Sequence, residues 1–462
     1  EIPVKKRMSE TDWVLLLSRG QFALTMAMHI TLAALTLGLA PFLVWFEARW
    51  LWGKQAASGT ALHFWLKIFA ITVAVGAVSG VVMEFQFGTN WSVFSQKAGG
   101  IIGPLLFYEV LIAFFMESGL TGVMLFGMGK IPPKWHFVIT CLVAAGALFS
   151  AFWILAANSW MQTPADFMRD ANGNFHPTNW MAFLSAPSFA WRFFHMVLAS
   201  LIAVAFMIAG IGAWRLLHHP AEATSRIMVK AAIWFAVVAT PVQIVVGDQH
   251  GENTLHYQPQ KVAAMEGSWH QPAPGEGEPL RLFAWPDQQA QRNQLEVAIP
   301  MIGSLYLRHN LTGHIKSLSE FPEHERPPVA AVFFSFRIMV GLGLLMLMTS
   351  AVAAYRLKRG RLFDARLLLW WLVWTSPSGF IAMLAGWLVT ELGRQPWTIF
   401  GMLRTAESVS SMPLSWVITS CCGVIVIYGL VFGFGLRHFL RYASGPLPQG
   451  SDVVVTAIPT ST

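Results

Sequence analysis

The sequence predicts an all-α polytopic membrane protein with nine transmembrane helices and one long outer-side loop. Three observations predict it. Of its 462 residues, 55% are hydrophobic and only 12% charged, about half the charge of an ordinary soluble domain. Mean hydropathy is +0.52. Nine apolar runs recur, at 22–46, 64–83, 104–128, 135–157, 189–214, 227–246, 330–353, 367–390 and 414–436. Each approaches the roughly 20 residues that cross a ~30 Å hydrocarbon core. Lipid cannot satisfy backbone polar groups, so the runs read as helices. The short alternating segments of a transmembrane barrel do not occur.

In chain order, the stretch before the first run is polar and carries Lys5, Lys6 and Arg7. That run is too long for a signal-peptide core and lacks an obvious Ala-x-Ala exit, so it is read as a helix, with residues 1–7 an altered start or an addition. Residues 1–246 form a six-helix half. Residues 247–329 form the long hydrophilic connection, rich in Pro, Gly, Gln and His, as in Gln271-Pro272-Ala273-Pro274-Gly275-Glu276-Gly277-Glu278-Pro279. Long loops of this kind are commonly functional or disordered. Residues 330–462 supply three more helices. No internal repeat of the transporter kind is visible.

Charge sets the orientation. Loops 47–63, 129–134, 215–226 and 354–366, with the tail from 437, carry 13 Lys or Arg, and the short opposite loops 84–103, 158–188 and 391–413 carry four: Lys97, Arg169, Arg394 and Arg404. The positive-inside rule then places the C-terminus in the cytoplasm and the N-terminus and long loop outside. Lys5, Lys6, Arg7 and Arg19 count against it. The cluster Arg356, Lys358, Arg359, Arg361 and Arg366 reads as a topology signal. A net charge of +7 fits contact with anionic lipid, not nucleic acid. Cys141, Cys421 and Cys422 lie inside apolar runs, offering neither a disulfide framework nor a Cys-x-x-Cys-His site. Any haem is therefore non-covalent.

Four candidate ligands fall at one predicted depth. His29 and His195 lie six or seven residues into inward-running helices, Met339 lies nine residues into the seventh, and Glu391 ends the outward-running eighth. At ~1.5 Å rise per residue, all lie within roughly 15 Å of the outer surface. Two histidines, a thioether and a carboxylate at one level suggest haem iron, because buried polar groups in a bilayer are functional by default. His195 with Met339 would make a six-coordinate low-spin haem, and His29, lacking a second ligand, would leave an iron position open. Met also fills cores, and a histidine can simply bond between helices. Arg337, two residues from Met339, calls for an anion such as a haem propionate. Glu391 is equally consistent with ligation and with an end-of-helix pair to Arg394.

Glu109 and Glu117, eight residues apart in the third run, have the spacing of a proton relay, and Ser150 of the fourth could extend it. Lys261 and Glu266, five residues apart in the loop, are only partly co-facial on a helix, so spacing alone favours a solvated surface.

At these residues the chain resembles subunit I of the cytochrome bd quinol oxidases. The resemblance rests on Ser18-Arg19-Gly20-Gln21-Phe22-Ala23-Leu24-Thr25, Met83-Glu84-Phe85-Gln86-Phe87-Gly88-Thr89-Asn90-Trp91, Phe336-Arg337-Ile338-Met339 and Gly393-Arg394-Gln395-Pro396-Trp397. It implies a quinol:oxygen oxidoreductase of the bacterial inner membrane that reduces O2 to water without pumping protons. By motif, His195 and Met339 match the ligands of low-spin haem b558, with Arg337 beside it. Glu391 matches the ligand of high-spin haem b595, with Arg394 adjacent. His29 matches the ligand of the third haem, haem d or a further haem b in its place. Lys261 and Glu266 match residues implicated in quinol oxidation, reversing the surface reading. Glu109, Glu117 and Ser150 match the proton path, and Trp387 an aromatic near the haems. The short loop running into Arg326-Pro327-Pro328 is similar to the branch that includes cyanide-insensitive oxidases. The family also implies a helical subunit II, a small single-helix subunit, and ubiquinol or menaquinol as substrate. Two rival classes remain on the residues alone: a haem-b quinol dehydrogenase or electron-transfer subunit, and a non-haem transporter.

Overall fold

The computed structural model describes residues 8–179, 181–273 and 275–447. Residues 1–7, Trp180, Pro274 and the tail from 448 lie outside that set. Among the described residues nine helices are long and apolar enough to cross a membrane, one for each predicted run. They are Glu10–Leu51, Ala56–Thr89, Ser92–Gly127, Pro133–Gln162, Phe189–His218, Ala223–Tyr257, Val329–Lys358, Arg366–Leu392 and Leu414–Ser444, referred to below as the first to ninth spans.

Most spans outrun their apolar cores, because the helix continues once it leaves the hydrocarbon. The first begins twelve residues before its run. There the Ser9 hydroxyl accepts from Asp12 N at 3.2 Å and the Asp12 carboxylate accepts from Ser9 N at 2.9 Å, a reciprocal cap that satisfies otherwise orphaned amides. Pro41, Pro104 and Pro241 lie inside helices, as membrane helices tolerate. The third span widens to a π-helix over Ile112–Ser118, the segment that carries Glu117. The eighth breaks between Arg366–Thr375 and Ser378–Leu392, where Pro377 has no N–H to continue the ladder.

The chain divides into two compact units that do not follow chain order. One comprises Glu1–Ser150, Met168–His176 and Ala406–Thr462; the other comprises Ala151–Phe167 and Pro177–Thr405. In the first, the opening and second motifs of the resemblance meet in a buried polar network. Gln86 Nε2 donates to Thr25 Oγ1 at 2.7 Å, and Asn90 Nδ2 to Gln21 Oε1 at 3.3 Å. Gln21 Nε2 in turn donates to Ser420 Oγ at 2.8 Å. In the second unit the fifth and eighth spans approach so closely that a Cβ at Gly379 would lie 2.4 Å from Ala203 Cα, the small-residue contact that lets membrane helices pack.

The long connection is ordered. The sixth span runs on to Tyr257. Pro259, with its missing N–H harmless in a first turn, then opens a helix over Pro259–Glu266, which Gly267 ends at φ 63°. A hairpin follows, Leu280–Asp287 against Arg292–Ile299, then a short helix over Ile302–Arg308. Val262, Ala263, Met265, Trp269, Ile315 and Leu318 form a core with Val329, Val332 and Val389 of the spans. These apolar residues are scattered among Pro and Gly, and no single period displays them.

Candidate functional site

In the first unit His29 is half-buried, with Nδ1 2.9 Å from Ser79 Oγ. The Ser79 hydroxyl donates its one proton to the Gly76 carbonyl at 2.8 Å, so it accepts from His29. That fixes the proton on Nδ1 and leaves the Nε2 lone pair available. Fixing the far nitrogen in this way is how proteins orient a metal-binding imidazole. Gly80 opposes the ring: a Cβ there would lie 3.2 Å from His29 Cε1.

In the second unit His195 and Met339 are faced in the same manner. A Cβ at Gly247 would lie 3.1 Å from His195 Cε1, and one at Gly386 would lie 2.8 Å from Met339 Sδ. Gln243 Nε2 donates to the His195 carbonyl at 3.0 Å and lies 3.3 Å from its Nδ1. The His250 ring stands edge-on at 5.5 Å, its Nε2 buried without a hydrogen-bond partner among the described residues.

Glu391 ends the eighth span with both oxygens engaged. Oε1 accepts from Asn158 Nδ2 at 2.8 Å, and Oε2 pairs with Arg394 Nη2. Trp387, half-buried, stands one turn earlier. Arg394 is 5% exposed and Arg192 6%, yet Arg394 Nε and Nη1 and Arg192 Nε have no hydrogen-bond partner among the described residues. Buried cationic donors without acceptors are costly, so this cluster is built for a further anion. Its Gly393 is dictated by crowding, since a Cβ would come within 2.6 Å of Lys261 Cγ.

Lys261 and Glu266 are 2% and 0% exposed, which overturns the solvated surface that spacing alone favoured. The Pro259–Glu266 helix is packed into the loop core. Lys261 Nζ donates to Gln162 Oε1 at 2.7 Å. Burial lowers the Lys261 ammonium well below its ordinary pKa, and neighbouring Arg192 and Arg394 push the same way. Glu266 Oε2 pairs with Arg337 Nη2 at 2.8 Å, so the anion beside Arg337 here is a protein carboxylate. Arg337 Nε also donates to the Arg281 carbonyl at 2.6 Å. Tyr306 faces this pair, and burial, then the Glu266 charge, pushes its phenol well above the usual value.

Back in the first unit, Ser150 Oγ donates to Glu109 Oε1 at 2.9 Å. Glu117 is buried at 9% exposure. Glu84 of the second span is half-buried, and its Oε1 has no hydrogen-bond partner among the described residues. The structure thus joins Glu109 to Ser150, Glu391 to Arg394 and Glu266 to Arg337. Lys261 and Glu266 bond to different partners. Sequence reasoning missed Ser79, Arg192, Gln243, His250 and Gln162 as site residues. Arg192, one turn before His195 at the head of an apolar run, carried the same signal as Arg337.

Nine spans carrying half-buried histidines, withdrawn carboxylates and arginines with unmet donors define a polytopic membrane protein built around polar chemistry. The model of the cytochrome bd terminal oxidase subunit I family matches residues 17–446, and the chain belongs to that family. It is 34% identical to cytochrome bd ubiquinol oxidase subunit 1 of Bacillus subtilis (strain 168), over 86% of each chain. It is 31% identical to cytochrome bd-II ubiquinol oxidase subunit 1 of Escherichia coli (strain K12), over 94% of this chain and 98% of that one. The solved structure of bd oxidase from Geobacillus thermodenitrificans superposes with a TM-score of 0.85 at 28% identity, covering 94% of this chain and 100% of that one. The protein is a multi-pass bacterial inner-membrane subunit of a terminal quinol oxidase, a quinol:oxygen oxidoreductase that uses haem.

Proposed function

We propose that this chain holds three haems. His195 and Met339 would hold low-spin haem b558, Glu391 high-spin haem b595, and His29 a third, haem d or a further haem b. The residues fit such groups. Each His or Met candidate lies against a glycine whose added Cβ would press on the ligand side chain, and Arg192 and Arg394 offer unmet donors suited to propionates. The observation that carries the oxygen chemistry is the Ser79–His29 bond, which leaves Nε2 as the only free lone pair on that ring. Bound haem iron supplies one-electron transfer and, at an open position, oxygen reduction.

The chain's own residues do the rest. Quinol, ubiquinol or menaquinol, would bind beneath the loop on the periplasmic side. Lys261, with its lowered proton affinity, would take a proton from the quinol hydroxyl, and Glu266 with Arg337 would fix the loop over it. Glu117, Glu109 and Ser150 would bring protons from the cytoplasmic side, and Trp387 would pack beside the haems. Charge separation then follows without a pump. The N-terminus lies outside and the C-terminus in the cytoplasm on this reading. A helical subunit II, with a small single-helix subunit, completes the enzyme.

A pyridine haemochrome assay and a carbon monoxide difference spectrum on the purified complex test the reading. We expect haem, and a carbon monoxide response from an open iron. Haem with no response would reduce the protein to an electron carrier, and colourless protein would leave a transporter. Met339→Leu should abolish the low-spin haem signal; an unchanged reduced-minus-oxidised spectrum refutes that ligation.

A further inference from the structure

One buried ionisable pair has no place in the reading above. Glu47, near the end of the first span, and His136, in the first turn of the fourth, are 1% and 4% exposed. His136 Nδ1 lies 2.6 Å from Glu47 Oε1, and Thr140 Oγ1 donates to Glu47 Oε2 at 2.6 Å. His136 Nε2 is 2.9 Å from the Met124 carbonyl. A carbonyl only accepts, so Nε2 carries a proton. The other proton then lies on the short Nδ1–Oε1 line. It can rest on either atom, as imidazolium with carboxylate or imidazole with carboxylic acid, without a heavy atom moving. Apolar side chains would close these helices without burying an ionisable pair, and such pairs inside a membrane span are functional by default.

The pair has an approach on either side. Toward the helix ends it is faced by His63 of the second span, half-buried, with Nδ1 2.7 Å from the Gly59 carbonyl. His63 is close enough to interact electrostatically with both His136 and Glu47, and with exposed Lys67. Cys141 also faces Glu47. Arg49, Lys54, Lys130 and Lys134 flank the same helix ends. In the other direction, Met124 belongs to the third span, seven residues beyond Glu117. Between them is Thr121, 4% exposed, whose hydroxyl has no hydrogen-bond partner among the described residues. Offsets of four and seven residues keep Thr121 and Met124 near the face of Glu117, separated by roughly 6 Å and then 4.5 Å along the axis.

We propose that Glu47 and His136 form a proton-handoff station that feeds Glu117 by way of Thr121, from the basic ends of the first four spans. One proton enters the pair from water at the His63 side and one leaves toward Glu117; no electron moves and no bond other than those to hydrogen changes. The proposal rests on the reading that Glu117 and Glu109 carry protons for oxygen reduction.

The test uses the complete oxidase in liposomes, following proton uptake with a pH dye as reduced enzyme meets oxygen. Glu47→Gln keeps the size and the hydrogen bonds of the site. We expect its haem content, haem spectra and anaerobic reduction by quinol to match wild type, while proton uptake and turnover slow about tenfold or more. Wild-type uptake in Glu47→Gln, with slow uptake in Glu117→Gln, overturns the station and leaves the parent path standing. Wild-type uptake in both variants overturns the path as well. If Glu47→Gln loses haem, the pair is a structural clamp and the station is overturned, unless Thr121→Val, with haem intact, still slows uptake. Normal uptake in Thr121→Val would complete the refutation.

Discussion

The carboxylates of the third span and those of the loop-bearing unit are both withdrawn from water, but they are kept in opposite ways. Glu266 and Glu391 each pair with an arginine, Arg337 and Arg394, and Glu278 pairs with Arg281 at 2.7 Å. Among the described residues neither Glu109 nor Glu117 pairs with a cation, and Glu109 has only the Ser150 hydroxyl. A buried carboxylate tied to a guanidinium cannot lose that partner without leaving an uncompensated buried charge. One without a cation is free to exchange a proton. On the proposed function the difference is a division of labour among carboxylates: those of the loop-bearing unit hold charge still, and those of the third span would let it move.

The sharpest way to break that comparison is to orphan a charge in the first set. Arg337→Leu leaves Glu266, 0% exposed, buried without its counter-ion, a change that costs about 3–5 kcal/mol. The purified complex should show a markedly lower Tm in detergent. Glu117→Gln orphans nothing, so its Tm should stay near wild type while turnover collapses. If the two variants melt alike, the paired carboxylates are not structural and the division fails.

A second prediction sharpens the contrast between the candidate ligands themselves. Ser79→Ala removes the acceptor that holds His29 in its Nδ1–H form, and loss of such a supporting bond typically weakens metal-site affinity about 10–100-fold. Haem retained per polypeptide after dilution should fall for the His29 site alone, with Tm unchanged before dilution. Full retention would mean that the histidine is oriented by packing against Gly80 and not by the serine.

How much of this was legible in the sequence follows from which physical signals are local. The nine spans were legible because lipid demands ~20 apolar residues in a row. His29, Met339 and Glu391 stood out because polar or soft atoms at depth are conspicuous there. The ordered loop was not legible: Val262, Trp269, Ile315 and Leu318 converge from positions spread over more than fifty residues, with no repeat to betray them. For the same reason Lys261 and Glu266 looked solvated until Gln162 and Arg337, from distant spans, were seen to hold them. Ser79 and Gln243 were invisible, because a lone polar residue in an apolar run declares no partner. The family's motifs marked the loop pair where spacing did not.

The smallest expected effect probes the mobile half of the comparison. Ser150→Ala removes one hydrogen bond to Glu109 and leaves the carboxylate otherwise as it was. A hydrogen bond of this kind is worth about 1 kcal/mol, or roughly fivefold in a rate it supports. Turnover with saturating quinol should fall by about that factor, with haem spectra and Tm unchanged, because no charge is orphaned. Ser150→Thr, which keeps the hydroxyl, should recover most of the rate. An alanine variant that turns over normally would show that Glu109 exchanges its proton without the serine, confining the relay to the third span. One that loses haem would show that Ser150 packs the helices and would remove it from the path.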